Sequence, residues 1–461
     1  MTAPQPGRLA TLTLLSLAQF LIALDYSIIY VALPSIAGDL RLQPALAQWV
    51  VSAYAVLFAG FLLLGGRLSD RVGAPRLFLV AIITFGVASA IGAAAGDGPT
   101  LLAARGAQGL GAALLQPAVL GLIGTTFPAG PARSRALAVW GSVGASGLAV
   151  GVLLGGVLTT ASWRLTFVIN VPVTVLCALG AVILLGPARD HVQAGTVPTL
   201  GSVLGTGTVL ALVLGLTFGA QWGWNSAPCL SCLGLALAGC VGFVRNERSA
   251  RGVLIDPVLR RIRSLRVAAV ATALYMASVG SEFYLLTLAL QVLKGYPPLL
   301  AGMAFLPLAL MVTVGSTTAG RAVRRCGAPR VLAGGFAVSA AGLLWLAFML
   351  PGDSYAGDLL VGLLLSGFGH GAVYTSMFVI GTHDVPAARQ GTAGALLTTS
   401  QYVAGALTVA VLTLVLGSSP DDAHFQAAFL LTAVAAASGF GLAVGMANHV
   451  PFVRLDSSCG G

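Results

Sequence analysis

GRLSDRVGAPR, the segment from Gly66 to Arg76, occurs a second time in this chain as GRAVRRCGAPR, from Gly320 to Arg330. The copies lie 254 residues apart and agree at seven of eleven positions, which in the first copy are Gly66, Arg67, Arg71, Gly73, Ala74, Pro75 and Arg76. Both are short, arginine-rich connections between long apolar runs, a pattern typical of the cytoplasmic ends of membrane spans. The repetition indicates a duplicated chain.

The composition excludes a soluble globular protein. Of 461 residues, 57% are hydrophobic and only 8% are charged, and the mean hydropathy is +0.94. The apolar runs are about twenty residues long, which is the length that a helix needs to cross the bilayer core. An outer-membrane barrel would instead show alternating segments of about ten residues. We therefore predict an all-α, polytopic membrane protein.

Fourteen spans are predicted, and they are numbered in chain order. They start near residues 10, 45, 77, 100, 134, 163, 198, 226, 267, 298, 331, 357, 391 and 424. With a cytoplasmic N-terminus, only four of the 24 basic residues lie outside cytoplasmic loops, namely Arg41, Arg105, Arg164 and Lys294. The positive-inside rule thus places both termini in the cytoplasm. The net charge of +10 therefore points to the lipid bilayer as the partner and not to nucleic acid.

The duplication suggests a 6+2+6 arrangement. We expect a six-helix bundle over residues 1–190, two extra membrane helices over 191–250 and a second six-helix bundle over 267–461. The connection RNERSARGVLIDPVLRRIRSLR, from Arg245 to Arg266, alternates arginine with apolar residues. Its part 251–266 is predicted to be an amphipathic linker on the cytoplasmic face.

Three charged residues lie within predicted spans: Asp25 in span 1, Arg105 in span 4 and Glu282 in span 9. An ionisable group at mid-bilayer costs about 2.5–3.5 kcal/mol on insertion scales, so it is usually functional or paired. The 254-residue offset maps Asp25 onto position 279, one helical turn from Glu282. We expect all three to take part in proton coupling, with Glu282 as the first candidate; a structural salt bridge between Asp25 and Arg105 is the alternative.

Other polar residues within spans are candidates for a substrate cavity or for hydrogen bonds between helices. They are Gln19, Gln108, Gln116, Tyr284, Gln291, His370, Tyr374, Gln401 and Tyr402. His370, among glycines in span 12, could relay protons or serve as a hydrogen-bonded packing residue.

No motif indicates an enzyme or a cofactor. The sequence lacks a GxxxxGK[ST] phosphate loop, a His-Glu-x-x-His pair and a Gly-x-Ser-x-Gly elbow. Cys229 and Cys232 form a CxxC without a second pair or a nearby histidine, so we expect them to pack and not to bind metal.

An ordered set of motifs resembles the 14-span drug:proton antiporter branch of the major facilitator superfamily. They are LDYSIIYVALP in span 1, QWVVSAYAV in span 2, GGRLSDRVGAPR after it, AARGAQGLGAAL in span 4, GVLLGG and SWRLTFVINVP at spans 5 and 6, LQVLKGYPPLLAGMAFLP at spans 9 and 10, and VPAARQGTAGAL before span 13.

This resemblance implies two six-helix bundles around a central cavity that rock between inward-open and outward-open states. It associates Arg105 with proton coupling and the span 5 glycines with antiport. Asp70 could meet the positive end of a helix from the other half. The gating residues expected from the resemblance are Gly66, Arg67, Asp70, Arg71, Gly73, Arg76, Gly151, Gly155, Arg321, Arg324, Arg325 and Arg330.

Two positions depart from the family pattern. Val152 follows Gly151 where the family usually has proline, which removes a kink-forming residue and weakens the inference of antiport. Arg324 stands in the second loop where Asp70 stands in the first, so the two loops are not chemically equivalent.

We expect a monomeric, multi-pass protein of the bacterial cytoplasmic membrane that exports amphipathic, cationic drugs or antibiotics in exchange for protons, without a cofactor. The alternatives are an exporter of one metabolite, amino acid or peptide, a uniporter whose carboxylates bind substrate, and a membrane-embedded sensor or enzyme. Arginine outnumbers lysine 23 to 1, a usage that fits a GC-rich bacterium.

Overall fold

The computed structural model describes residues 6–128, 130–186, 199–249, 253–352, 354–417 and 420–449, and all regular structure in these ranges is helical. Within them, 14 helices are long and apolar enough to cross a membrane. Each begins within a few residues of its predicted start, so the prediction of an all-α, 14-span protein is confirmed.

The first eight spans precede the linker. They are Pro6–Asp39, Pro44–Val72, Ala74–Ala94, Gly98–Thr126, Pro131–Ala161, Leu165–Val168 with Asn170–Leu184, Thr199–Trp222 and Ala227–Arg248.

The last six spans follow the linker, and several combine α-helix with other helical turns. They are Arg263–Tyr275 with Ser281–Leu288, Pro298–Ala304 with Leu306–Cys326, Ala328–Met349, Tyr355–Leu359 with Leu360–His383, Ala387–Arg389 with Gln390–Leu416, and Asp422–His449.

Close packing within the first bundle depends on the glycines of span 5. These residues face span 1, and a Cβ on Gly151 would lie against the Ser27 hydroxyl and 2.7 Å from the Leu24 carbonyl oxygen. A Cβ on Gly147 would lie 2.7 Å from the Phe20 carbonyl oxygen. Small residues allow such backbone approach where lipid supplies no hydrophobic force between helices.

The two bundles meet chiefly along two pairs of spans, where span 2 packs against span 13 and span 5 packs against span 10. Further contacts join spans 4 and 13 and spans 5 and 12. Gly66 abuts Ala395 in the first pair, and a Cβ on Gly320 would lie 2.7 Å from Ala138 in the second. The Ser316 hydroxyl donates to the Ala138 carbonyl at 3.1 Å. The contact between span 2 and span 13 is called the 2/13 seam below.

The extra pair, spans 7 and 8, lies beside the 2/13 seam. Span 7 packs against both span 2 and span 13, whereas span 8 packs mainly against span 7. Leu210 of span 7 fills the space above Gly60 of span 2. Most of span 8 is exposed, as expected for a helix that faces lipid.

The linker, predicted as an amphipathic segment, is not one unbroken helix. Among its described residues, Pro257–Arg261 forms a short helix, Ile262 is extended (φ −70°, ψ 109°), and the last four residues belong to the span 9 helix that begins at Arg263. Leu254 and Leu259 are buried in the protein. The arginine-rich end, defined as the end of the molecule that carries the loops 72–74 and 326–328, therefore has a folded linker packed onto it.

The packing of span 5 on span 1 predicts the effect of a larger residue at Gly151. Gly151→Leu should lower the stability of the protein by about 1–3 kcal/mol, because the added side chain must push span 5 away from the span 1 backbone. The measurement is the thermal midpoint of detergent-purified protein followed by fluorescence-detected size exclusion.

Gly234→Leu is the matched control, since a Cβ at Gly234 meets nothing within 4 Å. Equal thermal midpoints for the two variants would contradict the packing described for span 5.

Candidate functional site

Asp25 and Arg105 form a fully buried ion pair in the first bundle. Arg105 Nη1 lies 2.8 Å from Asp25 Oδ2, and the two side chains are 1% and 2% exposed. Arg105 Nε donates to the Val50 carbonyl at 2.9 Å, and the guanidinium lies 4.6 Å from the Tyr54 ring centroid. Of the two possibilities considered for this pair, the salt bridge is therefore present in this conformation.

Two amides complete the shell of Asp25. Gln108 Nε2 donates to Asp25 Oδ1 at 3.0 Å, and Asn170 Nδ2 donates to the same oxygen at 2.8 Å. Gln108 Nε2 also reaches the Ser89 hydroxyl at 2.8 Å. Gln108 thus lies in the ion-pair cluster. Asn170 was not singled out from the sequence, although it is the lone asparagine of the quoted SWRLTFVINVP segment.

Glu282 occupies a different environment in the second bundle. Its carboxylate oxygen Oε1 accepts a hydrogen bond from Ser366 Oγ at 2.7 Å. His370 Nε2 lies 3.2 Å from Oε2, and both side chains are fully buried. That pair is close enough for an ion pair but lacks hydrogen-bond geometry, so Oε2 and both ring nitrogens have no hydrogen-bond partner among the described residues.

The helix that carries Glu282 is irregular on both sides. The π-helical turns Met276–Gly280 and Ala289–Leu293 flank the α-helix Ser281–Leu288. Such turns often occur at functional sites within helices. Tyr275 lies just before the first turn, and its ring centroid is 6.2 Å from that of His370.

The two buried carboxylates are therefore compensated unequally. Asp25 has a guanidinium and two amide donors. For Glu282, His370 is the basic partner that the described part of the chain places within 4.0 Å. A histidine carries positive charge only when it is protonated, so His370 is not a permanent counter-charge as Arg105 is.

An aromatic cluster closes the centre of the molecule between the bundles. Trp140 of span 5 stacks on Tyr374 of span 12 at a centroid distance of 5.7 Å and contacts Phe378 edge to face at 5.3 Å. Phe58 of span 2 contacts Tyr402 of span 13 at 4.7 Å. Tyr374 and Tyr402, expected to bind substrate, thus take part in contacts between the bundles.

The remaining polar candidates do not form one surface. Gln19 is buried beside Gly144, and Gln116 is buried in span 4. The Tyr284 hydroxyl lies 3.2 Å from that of Thr413 within the second bundle. Gln401 Nε2 lies 4.0 Å from the Met276 sulfur, whereas Gln291 is exposed.

Asp70 joins the two bundles at the arginine-rich end. Its carboxylate accepts hydrogen bonds from the backbone N–H groups of Gly391 and Thr392, each at 3.0 Å. These groups belong to the first turn of the span 13 helix, which begins at Gln390. A negative charge is favourable at a helix N-terminus because the N–H groups there point outward and carry partial positive charge.

The arginines of the first loop differ in exposure, with Arg67 buried, Arg71 half-buried and Arg76 exposed. Gly73 adopts φ 95°, which permits the tight turn into span 3.

The second loop repeats this turn, but the residue at the position of Asp70 bonds within its own helix and not to the other bundle. Gly327 adopts φ 86°, in parallel with Gly73. Arg324 is exposed and donates to the Gly320 carbonyl of its own helix at 3.4 Å. Arg321, Arg325 and Arg330 are also exposed. Arg324 occupies the position in the second copy that Asp70 occupies in the first. A cation cannot accept hydrogen bonds from backbone N–H groups, which explains why the two loops make different contacts.

Arg133 is a further residue at the arginine-rich end that the sequence did not distinguish from the topology-setting arginines. It is 8% exposed, donates to the Gly124 carbonyl at 2.8 Å and lies 3.5 Å from the Thr382 carbonyl of the other bundle. Sequence alone carried no signal for this, because other arginines of the same loops are exposed.

Comparisons with known proteins agree with this architecture. The sequence matches the family model of the Major Facilitator Superfamily over residues 15–200 and over residues 199–409. The chain is 37% identical over 433 residues to the cephamycin export protein CmcT of Amycolatopsis lactamdurans, covering 92% of this chain and 89% of that protein. It is 37% identical over 418 residues to the puromycin resistance protein pur8 of Streptomyces alboniger, covering 89% and 82%.

Solved structures show the same fold at low sequence identity. The human organic anion transporter MFSD10 superimposes with a TM-score of 0.69 at 16% identity, covering 95% of this chain and all (100%) of that chain. The transporter FucP, in an outward conformation, gives a TM-score of 0.66 at 15% identity, covering 95% and 99%.

Prediction for the buried ion pair. Arg105→Gln should destabilise the protein by about 3–5 kcal/mol, because it leaves the Asp25 carboxylate buried without its counter-charge. The double variant Asp25→Asn with Arg105→Gln should be more stable than Arg105→Gln alone. Thermal midpoints in detergent measure both differences.

The exposed pair of Arg164 and Asp39 provides the control, since its side chains are 38% and 49% exposed at an N–O distance of 2.7 Å. Arg164→Gln should change stability by no more than about 1 kcal/mol. A double variant that is less stable than Arg105→Gln would show that the ion pair is not what stabilises this site.

Proposed function

This chain belongs to the Major Facilitator Superfamily, and from that premise we propose that it exports amphipathic, cationic drugs or antibiotics in exchange for protons. It is a multi-pass protein of the bacterial cytoplasmic membrane, with 14 helices able to cross the bilayer. The observation that carries the proposal is Glu282, a buried carboxylate whose basic partner is a histidine and not an arginine.

Glu282 is suited to bind and release a proton during the cycle. Its burial beside His370 and Ser366 disfavours a lasting negative charge. Asp25 and Arg105 would contribute through the opening of their ion pair, since protonation of Asp25 would release the guanidinium. Asp25 and Arg105 in the first bundle and Glu282 in the second would then link the protonation of the two carboxylates to the relative position of the bundles.

The substrate class rests on the relatives and on the residues at the centre of the molecule. A cephamycin export protein and a puromycin resistance protein are each 37% identical to this chain. The aromatic cluster supplies the ring faces that amphipathic cations favour. Substrate contacts are assigned to Tyr374 and Tyr402 in this cluster, together with Gln19, Gln116, Tyr284, Gln291, His370 and Gln401; Gln108 would act through Asp25.

The arginine-rich end is the cytoplasmic end in this proposal, as the positive-inside rule requires. The bond of Asp70 to the span 13 N-terminus would then close the cytoplasmic side while the outer side is open. Transport would part the 2/13 seam and separate the aromatic rings that meet across it. The protein is proposed to work as a monomer, to catalyse no chemical conversion and to need no cofactor.

Prediction for proton coupling. Glu282→Gln should reduce uphill uptake of a fluorescent lipophilic cation into inside-out vesicles under an imposed pH gradient to the level of vesicles without the protein. Glutamine keeps the shape of the side chain but cannot bind the proton. Exchange of labelled for unlabelled substrate at equal pH should persist, because it requires no net proton movement.

Ser366→Ala is the control, as it removes the hydrogen bond to Glu282 and retains the carboxylate. Undiminished uphill uptake by Glu282→Gln would refute the role of Glu282. A wild type that moves no cation in either assay would refute export of this substrate class and favour an exporter of one specific metabolite.

Prediction for the gate. Asp70→Ala should destabilise the closed 2/13 seam by about 1–2 kcal/mol by removing the charge at the span 13 N-terminus. A cysteine introduced at Leu120 of span 4, which packs on Gly394 of span 13 beside the 2/13 seam, should then react roughly five- to thirtyfold faster with an impermeant maleimide in inside-out vesicles. The six native cysteines are replaced first.

Arg324→Ala is the matched control, since Arg324 is the duplicated counterpart of Asp70 and is exposed. Its labelling rate should equal that of the parent. The gate assignment fails when Asp70→Ala also leaves the rate unchanged.

A further inference from the structure

Spans 7 and 8, which the duplication leaves without a counterpart, bridge both sides of the 2/13 seam. Val209 and Val213 of span 7 lie in one apolar cluster with Val56 and Ala59 of span 2, and residues of span 13 pack against that cluster. The span 13 residues are Tyr402, Val403 and Ala406. Span 7 therefore contacts both span 2 and span 13, the two helices that Asp70 joins.

The linker that follows span 8 is tied to the end of that span. The Glu247 carboxylate is buried and accepts hydrogen bonds from the backbone N–H groups of Leu254 at 2.6 Å and Ile255 at 3.1 Å. Arg260 Nη1 donates to the Glu247 carbonyl at 2.6 Å. Buried Leu254 also packs toward Gly205 of span 7. The linker is thus fixed to the extra pair by charge, backbone and apolar contacts.

The same linker reaches the first turn of span 13. Asp256 Oδ2 accepts a hydrogen bond from Arg389 Nε at 2.7 Å, and the two side chains are 13% and 28% exposed. The other oxygen, Oδ1, accepts from the Val258 N–H at 2.9 Å and so begins the linker helix. Arg389 directly precedes the helix whose N–H groups at Gly391 and Thr392 bind Asp70.

A second contact holds the short connection between spans 12 and 13, which precedes Arg389. Ser264 Oγ, at the start of span 9, donates to Asp384 Oδ2 at 2.7 Å. Arg67 of the first loop also lies within electrostatic range of Asp256, Asp70 and Arg389. The carboxylate of Asp256 therefore belongs to the group of charges that surrounds the seam.

We propose that spans 7 and 8 and their linker form a brace that stabilises the closed 2/13 seam, with Asp256 as the positioning residue. Asp256 holds Arg389, and thereby the first turn of span 13, where the N–H groups can reach Asp70. The inference rests on the alternating-access cycle proposed above, but it concerns the closed conformation and not the identity of the substrate. It gives the two surplus spans a conformational role.

The test is a charge swap read out by seam labelling in the full-length protein. Asp256→Arg and Arg389→Asp should each raise the maleimide labelling rate of the Leu120→Cys reporter roughly three- to fivefold, the range for a part-buried ion pair. The double variant, which restores the pair in reverse, should return toward the parent rate. Asp256→Asn removes only the charge. It provides a second measurement of the labelling rate in case Asp256→Arg does not insert into the membrane.

Asp421→Arg is the control for charge reversal, because Asp421 is an exposed carboxylate at the opposite end of the molecule. Its labelling rate should stay at the parent value. Unchanged rates for Asp256→Arg and Asp256→Asn, or a double variant as fast as the singles, would overturn the brace. Labelling needs no substrate, so a failure of drug export leaves this result interpretable.

Discussion

Two hydrogen bonds from the first turn of span 13 to the Asp70 carboxylate join the halves of this molecule at the arginine-rich end. A buried carboxylate needs compensation, and the N–H groups of a helix N-terminus supply part of it, beside the positive charge of Arg67. The geometry requires the backbones to come close, so Gly66 and Gly391 line the contact. The ring contact between Phe58 and Tyr402 lies along the seam that this interaction closes, and the folded linker meets span 13 beside it.

The two halves carry the same loop motif but surround their buried carboxylates differently. In the first half, Asp25 is surrounded by Arg105, Gln108 and Asn170, so its charge is balanced in place. In the second, Glu282 has a serine and a histidine, and one of its oxygens finds no hydrogen-bond partner in the part of the chain that the structure describes. The first carboxylate is therefore paired with a permanent positive charge, and the second is not. This asymmetry gives the two halves of the fold buried carboxylates in different electrostatic environments.

The extra pair of spans contributes at the boundary between the halves. It is inserted between the two bundles in the chain, which lets span 7 contact span 2 and span 13 together. The linker then returns the chain to span 9 across the arginine-rich end, where Asp256 meets Arg389. An insertion at this point can shift the equilibrium between the closed and the open 2/13 seam without changing either bundle.

The sequence alone was sufficient for the class, the number of spans and the position of each span within a few residues. These follow from bilayer thickness and from the cost of placing charge in lipid, which act on each segment separately. It also identified Asp25, Arg105 and Glu282 as unusual, and it showed from Arg324 that the two loops differ chemically.

Only the tertiary structure showed which residues these groups meet. Asn170 lies 145 residues from Asp25, and Arg389 lies 133 residues from Asp256. Neither contact has a local signature, because it depends on how each helix is rotated and tilted against its neighbours. The same reason applies to His370. The sequence singled it out only as a titratable side chain within a span, and its place beside Glu282 became visible only from the packing of span 12 on span 9. Forces that act along one helix can be read from its own residues, whereas contacts between helices are set by the packing of the whole bundle.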